Sequence, residues 1–188
     1  MIVVVSGLPR CGTSLMMQML HAGGLPALTD NRRKPDEDNP RGYFELEKVK
    51  KIKQDSSWLD ESEGKCFKMV SMLLFDLPPG RRYKVIFMLR NMPEILASQA
   101  RMLERLGKER GPDDAEMRNY LESHLAQLRP WLVARENMDV LFCNYNELMD
   151  DPEAWVSKTA DFLDLGLDRN LMLAAVDQSL YRNRARNC

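Results

Sequence analysis

The loop "GLPRCGTS", which begins at Gly7, contains the residue types that bind a phosphate-like anion. Gly7 and Gly12 let the backbone approach an anion, and the amides that begin a following helix hold it. Thr13 and Ser14 add hydroxyl donors. The spacing matches the GxxxxG of a phosphate-binding P-loop, but Thr13 stands where that motif has its lysine, and Arg10 lies inside the loop instead.

Three anion chemistries fit such a loop to different degrees. A nucleotide hydrolase or kinase needs the missing lysine to reach the terminal phosphates, which weakens that interpretation. A cysteine phosphatase would use Cys11 with an arginine six residues later, where Met17 stands. Cys11 is either a thiol activated by the helix start and Arg10, or simply a small loop residue. Sulfuryl transfer is the third chemistry, and a tight turn without a ligand is the alternative to all three.

Strands that alternate with helices are expected to position this loop. The apolar run "IVVVS" is typical of a strand buried on both faces of a parallel sheet. We therefore predict an α/β fold, a P-loop-like three-layer domain with a central parallel sheet flanked by helices. The predicted strands are 2–6, 65–70, 83–89 and 138–145, and the predicted helices are 13–21, 45–54, 91–106, 113–135 and 151–164.

The length of 188 residues favours a single domain over 1–188. Within it, residues 29–64 form a charged insertion, predicted as a loop followed by a surface helix. That insertion is either a solvated connector or a cover that faces an acceptor. Residues 182–188 form a basic tail that either reaches back to the anion or is disordered.

Charge and composition exclude several classes of partner. Lys plus Arg (27) and Asp plus Glu (28) nearly cancel, so no global field favours nucleic acid or an anionic membrane. The four scattered cysteines indicate neither a zinc site nor a disulfide framework, and no metal is expected. No apolar run suits a membrane span or a signal peptide, so we predict a cytoplasmic protein. The oligomeric state is not indicated.

Three blocks of the sequence resemble the sulfotransferases that use 3′-phosphoadenosine-5′-phosphosulfate (PAPS), in particular their bacterial members. "GLPRCGTSL" resembles the 5′-phosphosulfate loop, in which Lys or Arg stands at the place of Arg10. "KVIFMLRNMPEILASQ" resembles the 3′-phosphate block, a strand ending in Arg90 with Ser98 eight residues later. The strand, turn and helix over 140–165 resemble a third block, and "DNPRGYFE" is also similar to bacterial members.

This resemblance implies PAPS as co-substrate, bound without a metal. Tyr145 would contact the adenine, or else be a core aromatic at a strand end. The residues that the resemblance places around the nucleotide are Arg10, Cys11, Gly12, Thr13, Ser14, Arg90, Ser98 and Tyr145.

The catalytic residues also follow from the resemblance. Arg10 and Lys68 would stabilise the charge that develops on the transferred and leaving groups, with Lys65 as a rival to Lys68. Cytosolic members use a histidine base between the first and third strands, and this chain has no histidine between His21 and His124. The base would then be a carboxylate, as in the tyrosylprotein branch, and Asp30 and Glu45 are the candidates.

The predicted function is in-line transfer of the sulfuryl group of PAPS to an unidentified hydroxyl or amine acceptor. The alternative is a nucleotide-binding P-loop protein, either a small-molecule kinase or a non-catalytic PAPS-binding interaction protein.

Overall fold

The computed structural model describes residues 1–30, 32–36, 39, 42–108 and 111–181, and these contain four strands and six α-helices. The strands are β1 (Ile2–Gly7), β2 (Cys66–Val70), β3 (Tyr83–Leu89) and β4 (Met138–Asn144). The helices are α1 (Thr13–Ala22), α2 (Met92–Arg105), α3 (Asp114–Val133), α4 (Tyr145–Asp150), α5 (Pro152–Leu163) and α6 (Arg169–Ala174). Short 3₁₀ helices are Glu47–Lys51, Ser57–Ser62, Ser71–Asp76 and Gln178–Leu180.

The strands form one parallel sheet in the order β2-β1-β3-β4, as the alternating pattern predicts. Every residue of β1 is buried. Val3 and Val5 pack into the core on one face of the sheet, while Ile2 and Val4 pack into the core on the other. Helices cover both faces, so the fold is the expected α/β arrangement in three layers.

The chain reverses its direction across the sheet at β1, because β2 lies on one side of β1 and β3 on the other. Ligands of open α/β sheets bind outside the carboxyl ends of the strands at such a switch point. In register, Gly7 of β1 lies beside Val70 of β2 and Met88 of β3. The loop after β1 therefore lies at the position where this topology forms a binding crevice.

The prediction of a surface helix over 45–54 is wrong. The structure has a 3₁₀ helix at Glu47–Lys51 and a second at Ser57–Ser62. Val49 and Ile52 are the buried positions of this stretch, and their spacing of three residues matches the 3₁₀ period rather than a longer α-helical face.

Two helices were not predicted. Helix α4 begins within the predicted strand 138–145, and the short helix α6 follows the predicted helix 151–164. Both are only six residues long, which is too short for a hydrophobic period to show. The basic tail 182–188 lies outside the described residues.

The insertion begins beside β2. Cys66 donates its amide to the carbonyl of Pro26 (2.9 Å), and Leu28 donates to the carbonyl of Cys66 (2.8 Å). The amide of Asp30 then donates to the carbonyl of Glu45 (3.1 Å). These contacts fix the start of the insertion beside β2 and join Asp30 to Glu45 within it.

Gly12 provides a test of how this loop packs. Its φ is 95°, and a Cβ atom there would lie 2.3 Å from Cδ2 of the buried Tyr145 ring. Gly24 has a similar φ of 100° but open space around it. We expect Gly24→Ala to lower the free energy of unfolding by about 1–2 kcal/mol through backbone strain. Gly12→Ala should cost about 1–3 kcal/mol more through overpacking, measured by urea unfolding. Equal losses in the two variants would show that Tyr145 does not hold the loop.

Candidate active site

The loop between β1 and α1 and the first residues of α1 line a cavity of the protein. Arg10 has a φ of 70°, in the left-handed region, and Gly12 follows at 95°. Helix α1 begins at Thr13, so the unpaired amides of its first turn and the hydroxyls of Thr13 and Ser14 lie together. Gly12, Thr13 and Ser14 all line the cavity. This is the arrangement that binds an anion.

Residues that follow β3 hold the loop from the side. The Arg10 Nε donates to the hydroxyl of Ser98 on α2 at 2.9 Å. Arg90, directly after β3, donates from Nη1 to the carbonyl of Arg10 at 3.0 Å. The two sequence blocks that contain these residues thus meet at Arg10, whose side chain contacts Ser98 of α2.

Lys68 brings a second cation to the helix start. Its ammonium group donates to the hydroxyl of Ser14 at 3.3 Å and to the carbonyl of Tyr43 in the insertion. Burial lowers the pKa of Lys68 to about 8, against the opposing effect of Glu45. Lys65 precedes β2, and its carbonyl pairs with the amide of Val3 at the amino ends of the two strands, away from the loop. Of the two candidate lysines, Lys68 is therefore the one at the loop.

Arg90 lies in a buried polar network. Its Nε donates to Glu94 Oε2 at 2.9 Å, and the two side chains are only 7% and 2% exposed. The hydroxyl of Tyr181 donates to Glu94 Oε1 (2.9 Å) and accepts from Asn146 Nδ2 (2.6 Å). Glu94 and its partners therefore fix the guanidinium while Arg90 still lines the cavity.

Tyr145 is both a core residue and a cavity residue. It is 7% exposed, and its ring packs edge-on against that of Tyr181 at 5.4 Å between centroids. The guanidinium carbon of Arg90 lies 4.5 Å from the Tyr145 ring centroid, which is cation–π geometry. Tyr145 also lines the cavity, so the two interpretations from the sequence are compatible.

The two candidate carboxylates have different surroundings. Asp30 accepts the amides of Glu47 (2.8 Å) and Arg32 (3.1 Å) and lies outside the cavity lining. Those amides lower the pKa of Asp30, which stabilises its charged form. Glu45 lines the cavity, and its Oε1 accepts from Arg33 Nη1 at 3.0 Å. The structure therefore brings Glu45, but not Asp30, to the cavity.

Cys11 has its side chain in the core rather than in the cavity. Its thiol is fully buried, and this burial raises the pKa of Cys11 to about 12. A Cβ atom on Gly7 would lie 2.4 Å from its sulfur, so the thiol fills the space beneath the loop. This burial disfavours a thiolate nucleophile at this position, because the thiolate would lose its solvation.

Part of the insertion covers the cavity. Tyr43 is 4% exposed and donates its hydroxyl to Asp36 Oδ1 at 2.6 Å, and Arg105 of α2 donates to Asp36 Oδ2 at 3.2 Å. The guanidinium carbon of Arg33 lies 3.4 Å from the centroid of the Tyr43 ring. The insertion is thus joined to α2 by the contact between Asp36 and Arg105.

The cavity enclosed in this way has a volume of about 580 Å³, within the usual range for a small-molecule site. The predicted residues that line it are Arg10, Gly12, Thr13, Ser14, Glu45, Lys68, Arg90, Ser98 and Tyr145. The sequence did not identify Arg33 or Tyr43, because nothing in a charged loop shows which residues turn inward. Arg101 also lines the cavity, and its position one helical turn after Ser98 is a signal that the sequence does contain.

Among the residues that the structure describes, no helix is long and apolar enough to cross a membrane. The same residues contain no group of three or more His, Cys, Asp or Glu side chains that could hold a metal ion.

Comparisons with known proteins identify the family. A search of the curated proteins finds no match. Among solved structures, the sulfotransferase domain from the curacin biosynthetic pathway is similar with a TM-score of 0.48 and 14% identity, over 100% of this chain and 92% of that one. A sulfotransferase from Alicyclobacillus acidocaldarius has a TM-score of 0.46 and 15% identity, over 97% of this chain and 96% of that one. The family model of the sulfotransferase domain matches residues 2–187. Because that match spans almost the whole sequence, the chain belongs to the sulfotransferase family.

Proposed function

We propose that the protein transfers the sulfuryl group of PAPS to a hydroxyl or amine acceptor. The observation that supports this proposal is that Arg10 and Lys68 line one cavity with the start of α1, where the P-loop lysine is missing. In this proposal, Arg10 from the loop and Lys68 from β2 take the place of the one lysine, and membership of the sulfotransferase family supports sulfuryl transfer as the reaction.

The helix start and the hydroxyls of Thr13 and Ser14 would bind the 5′-phosphosulfate. Lys68 and Arg10 would stabilise the negative charge on the transferred group and on the departing phosphate. Because these donors are held in place by Ser98, Ser14 and the Tyr43 carbonyl before the substrate binds, little reorganisation is needed during transfer.

The 3′-phosphate would bind at the side of the cavity formed by α2. Ser98 and Arg101 lie on one face of that helix and line the cavity, together with Arg90. Arg90 also supports the loop through the carbonyl of Arg10, so it has a positioning role in addition to its charge.

We expect adenosine 3′,5′-bisphosphate, the product nucleotide, to bind at least about tenfold more tightly than AMP, since charge-assisted hydrogen bonds to one phosphate contribute about 1.5–3 kcal/mol. Isothermal titration calorimetry measures both affinities. Arg101→Ala should reduce this preference, whereas the control Arg118→Ala, on the exposed surface of α3, should leave it unchanged. Equal affinities for the two nucleotides would contradict a PAPS site. Tight binding of ATP with magnesium would instead support the alternative function, a small-molecule kinase.

Glu45 is the proposed general base, and Asp30 provides a matched control. We expect Glu45→Gln to lower turnover roughly a hundredfold or more while the affinity for the bisphosphate changes little. Asp30→Asn should keep most of the turnover, because Asp30 lies outside the cavity lining. Turnover is measured as release of bisphosphate from PAPS with the best acceptor of a panel of alcohols, phenols and amines. Loss of turnover in Asp30→Asn but not in Glu45→Gln would reverse the assignment.

A further inference from the structure

The segment that carries Glu45 has an unusual backbone. Phe44 has a φ of 51°, in the left-handed region that bulky residues rarely adopt, and Gly42 has a φ of 94°. A left-handed conformation of a residue other than glycine is unfavourable and persists only where surrounding contacts hold it, which is common at functional sites. The residues on either side of Phe44, namely Tyr43 and Glu45, both line the cavity. The strained backbone therefore coincides with the part of the insertion that reaches the site.

Hydrogen bonds and packing hold this backbone in place. The carbonyl of Glu45 accepts the amide of Asp30 at 3.1 Å and the hydroxyl of Thr29 at 3.0 Å. The ring of Phe44 packs edge-on against that of His21 on α1, with 5.8 Å between centroids. These contacts fix the main chain of Glu45. Its carboxylate lies at the end of a side chain with several rotatable bonds, so it needs a partner of its own to keep one position.

Arg33 is that partner. Its Nη1 donates to Glu45 Oε1 at 3.0 Å, and the two side chains are 38% and 33% exposed. An ion pair with this much exposure contributes little to stability, so its position in the cavity is the feature that needs a reason. The charges of both residues also act on Lys68, where Glu45 favours the protonated form and Arg33 disfavours it. The pair therefore lies near the ammonium group that is proposed to stabilise the transferred group.

The ring of Tyr43 holds Arg33 in turn. The guanidinium carbon of Arg33 lies 3.4 Å from the ring centroid, which is close cation–π geometry. The ring is fixed, because Tyr43 is buried and its hydroxyl donates to Asp36, which also accepts from Arg105 of α2. A planar guanidinium that is already stacked loses little further freedom when it pairs with a carboxylate.

We propose that Arg33 is a positioning residue for the general base: stacked on Tyr43, it holds the Glu45 carboxylate in the cavity. This inference rests on the proposed function, in which Glu45 accepts the proton of the acceptor. Arg33 acts on the reaction through Glu45 and not by contact with the reacting atoms. Its contribution to turnover should therefore disappear when the Glu45 carboxylate is absent.

The test compares four full-length proteins: the natural protein, Arg33→Gln, Glu45→Gln and the variant with both changes. Turnover is measured as release of bisphosphate from PAPS with the best acceptor of the panel of alcohols, phenols and amines, or with water if none of these is sulfated. We expect Arg33→Gln to lower kcat about tenfold, because a misplaced catalytic group can cost up to about a hundredfold. In the Glu45→Gln background the same change should lower kcat by less than about twofold, since residues that act as a unit are not additive.

Arg32→Gln is the matched control. It removes the same charge from the adjacent residue, whose side chain is 74% exposed and pairs with Asp30. We expect kcat of this variant to stay within about twofold of the natural value. Calorimetry should show a bisphosphate affinity within about threefold in both Arg33→Gln and Arg32→Gln, because Glu45 already offsets the charge of Arg33. The loss in Arg33→Gln is thus expected in kcat and not in nucleotide binding.

The outcomes separate this inference from the proposed function. If Glu45→Gln lowers kcat and Arg33→Gln does not, the positioning role is wrong while the base stands. A further tenfold loss in the double variant would also overturn it, because Arg33 would then act independently of Glu45, as would a tenfold loss of bisphosphate affinity in Arg33→Gln. If Glu45→Gln keeps full turnover, or the natural protein releases no bisphosphate from PAPS, the proposed function itself is wrong.

Discussion

The contact between the Lys68 ammonium group and the start of α1 is the interaction on which the site depends. Lys68 joins three parts of the chain, because it extends from β2, donates to Ser14 of α1 and donates to the Tyr43 carbonyl of the insertion. Burial of this cation disfavours its charge, which is why the pKa of Lys68 is lowered to about 8. The negative charge of a bound anion would instead stabilise the protonated form of Lys68. The free site is therefore poised to bind negative charge, although its loop has no lysine of its own.

The buried pair of Arg90 and Glu94 provides the rigid support for this site. Removal of one partner of such a pair typically costs about 3–5 kcal/mol, because the other charge is left buried alone. Tyr181 and Asn146 extend the network, so residues near the end of the described chain contribute to the position of Arg90. Through the carbonyl of Arg10, this network also sets the shape of the phosphate loop. The phosphate loop and Arg90, which would bind the two ends of the nucleotide, are thus joined by a hydrogen bond.

Much of the fold could be predicted from local signals. The apolar run of β1 and the Pro near the start of α2 set the elements around the loop, and both are confirmed. The helix over 45–54 could not be distinguished from a 3₁₀ helix, since its apolar residues also recur every three positions. In the site, motif spacing led to Arg10, Arg90 and Ser98. The burial of the Cys11 thiol and the different surroundings of Asp30 and Glu45 depend on contacts between distant segments, which spacing alone does not show.

The pH dependence of bisphosphate binding tests the role of Lys68 most directly. Above about pH 8 the free protein loses the Lys68 proton, while the phosphates of the ligand stay ionised, since their last pKa is about 6. We therefore expect the dissociation constant, measured by calorimetry between pH 7 and about pH 10, to rise above about pH 8 in the natural protein. In Lys68→Arg it should stay nearly constant, because the guanidinium remains protonated over this range. The same rise in both proteins would show that Lys68 is not the cation that holds the anion.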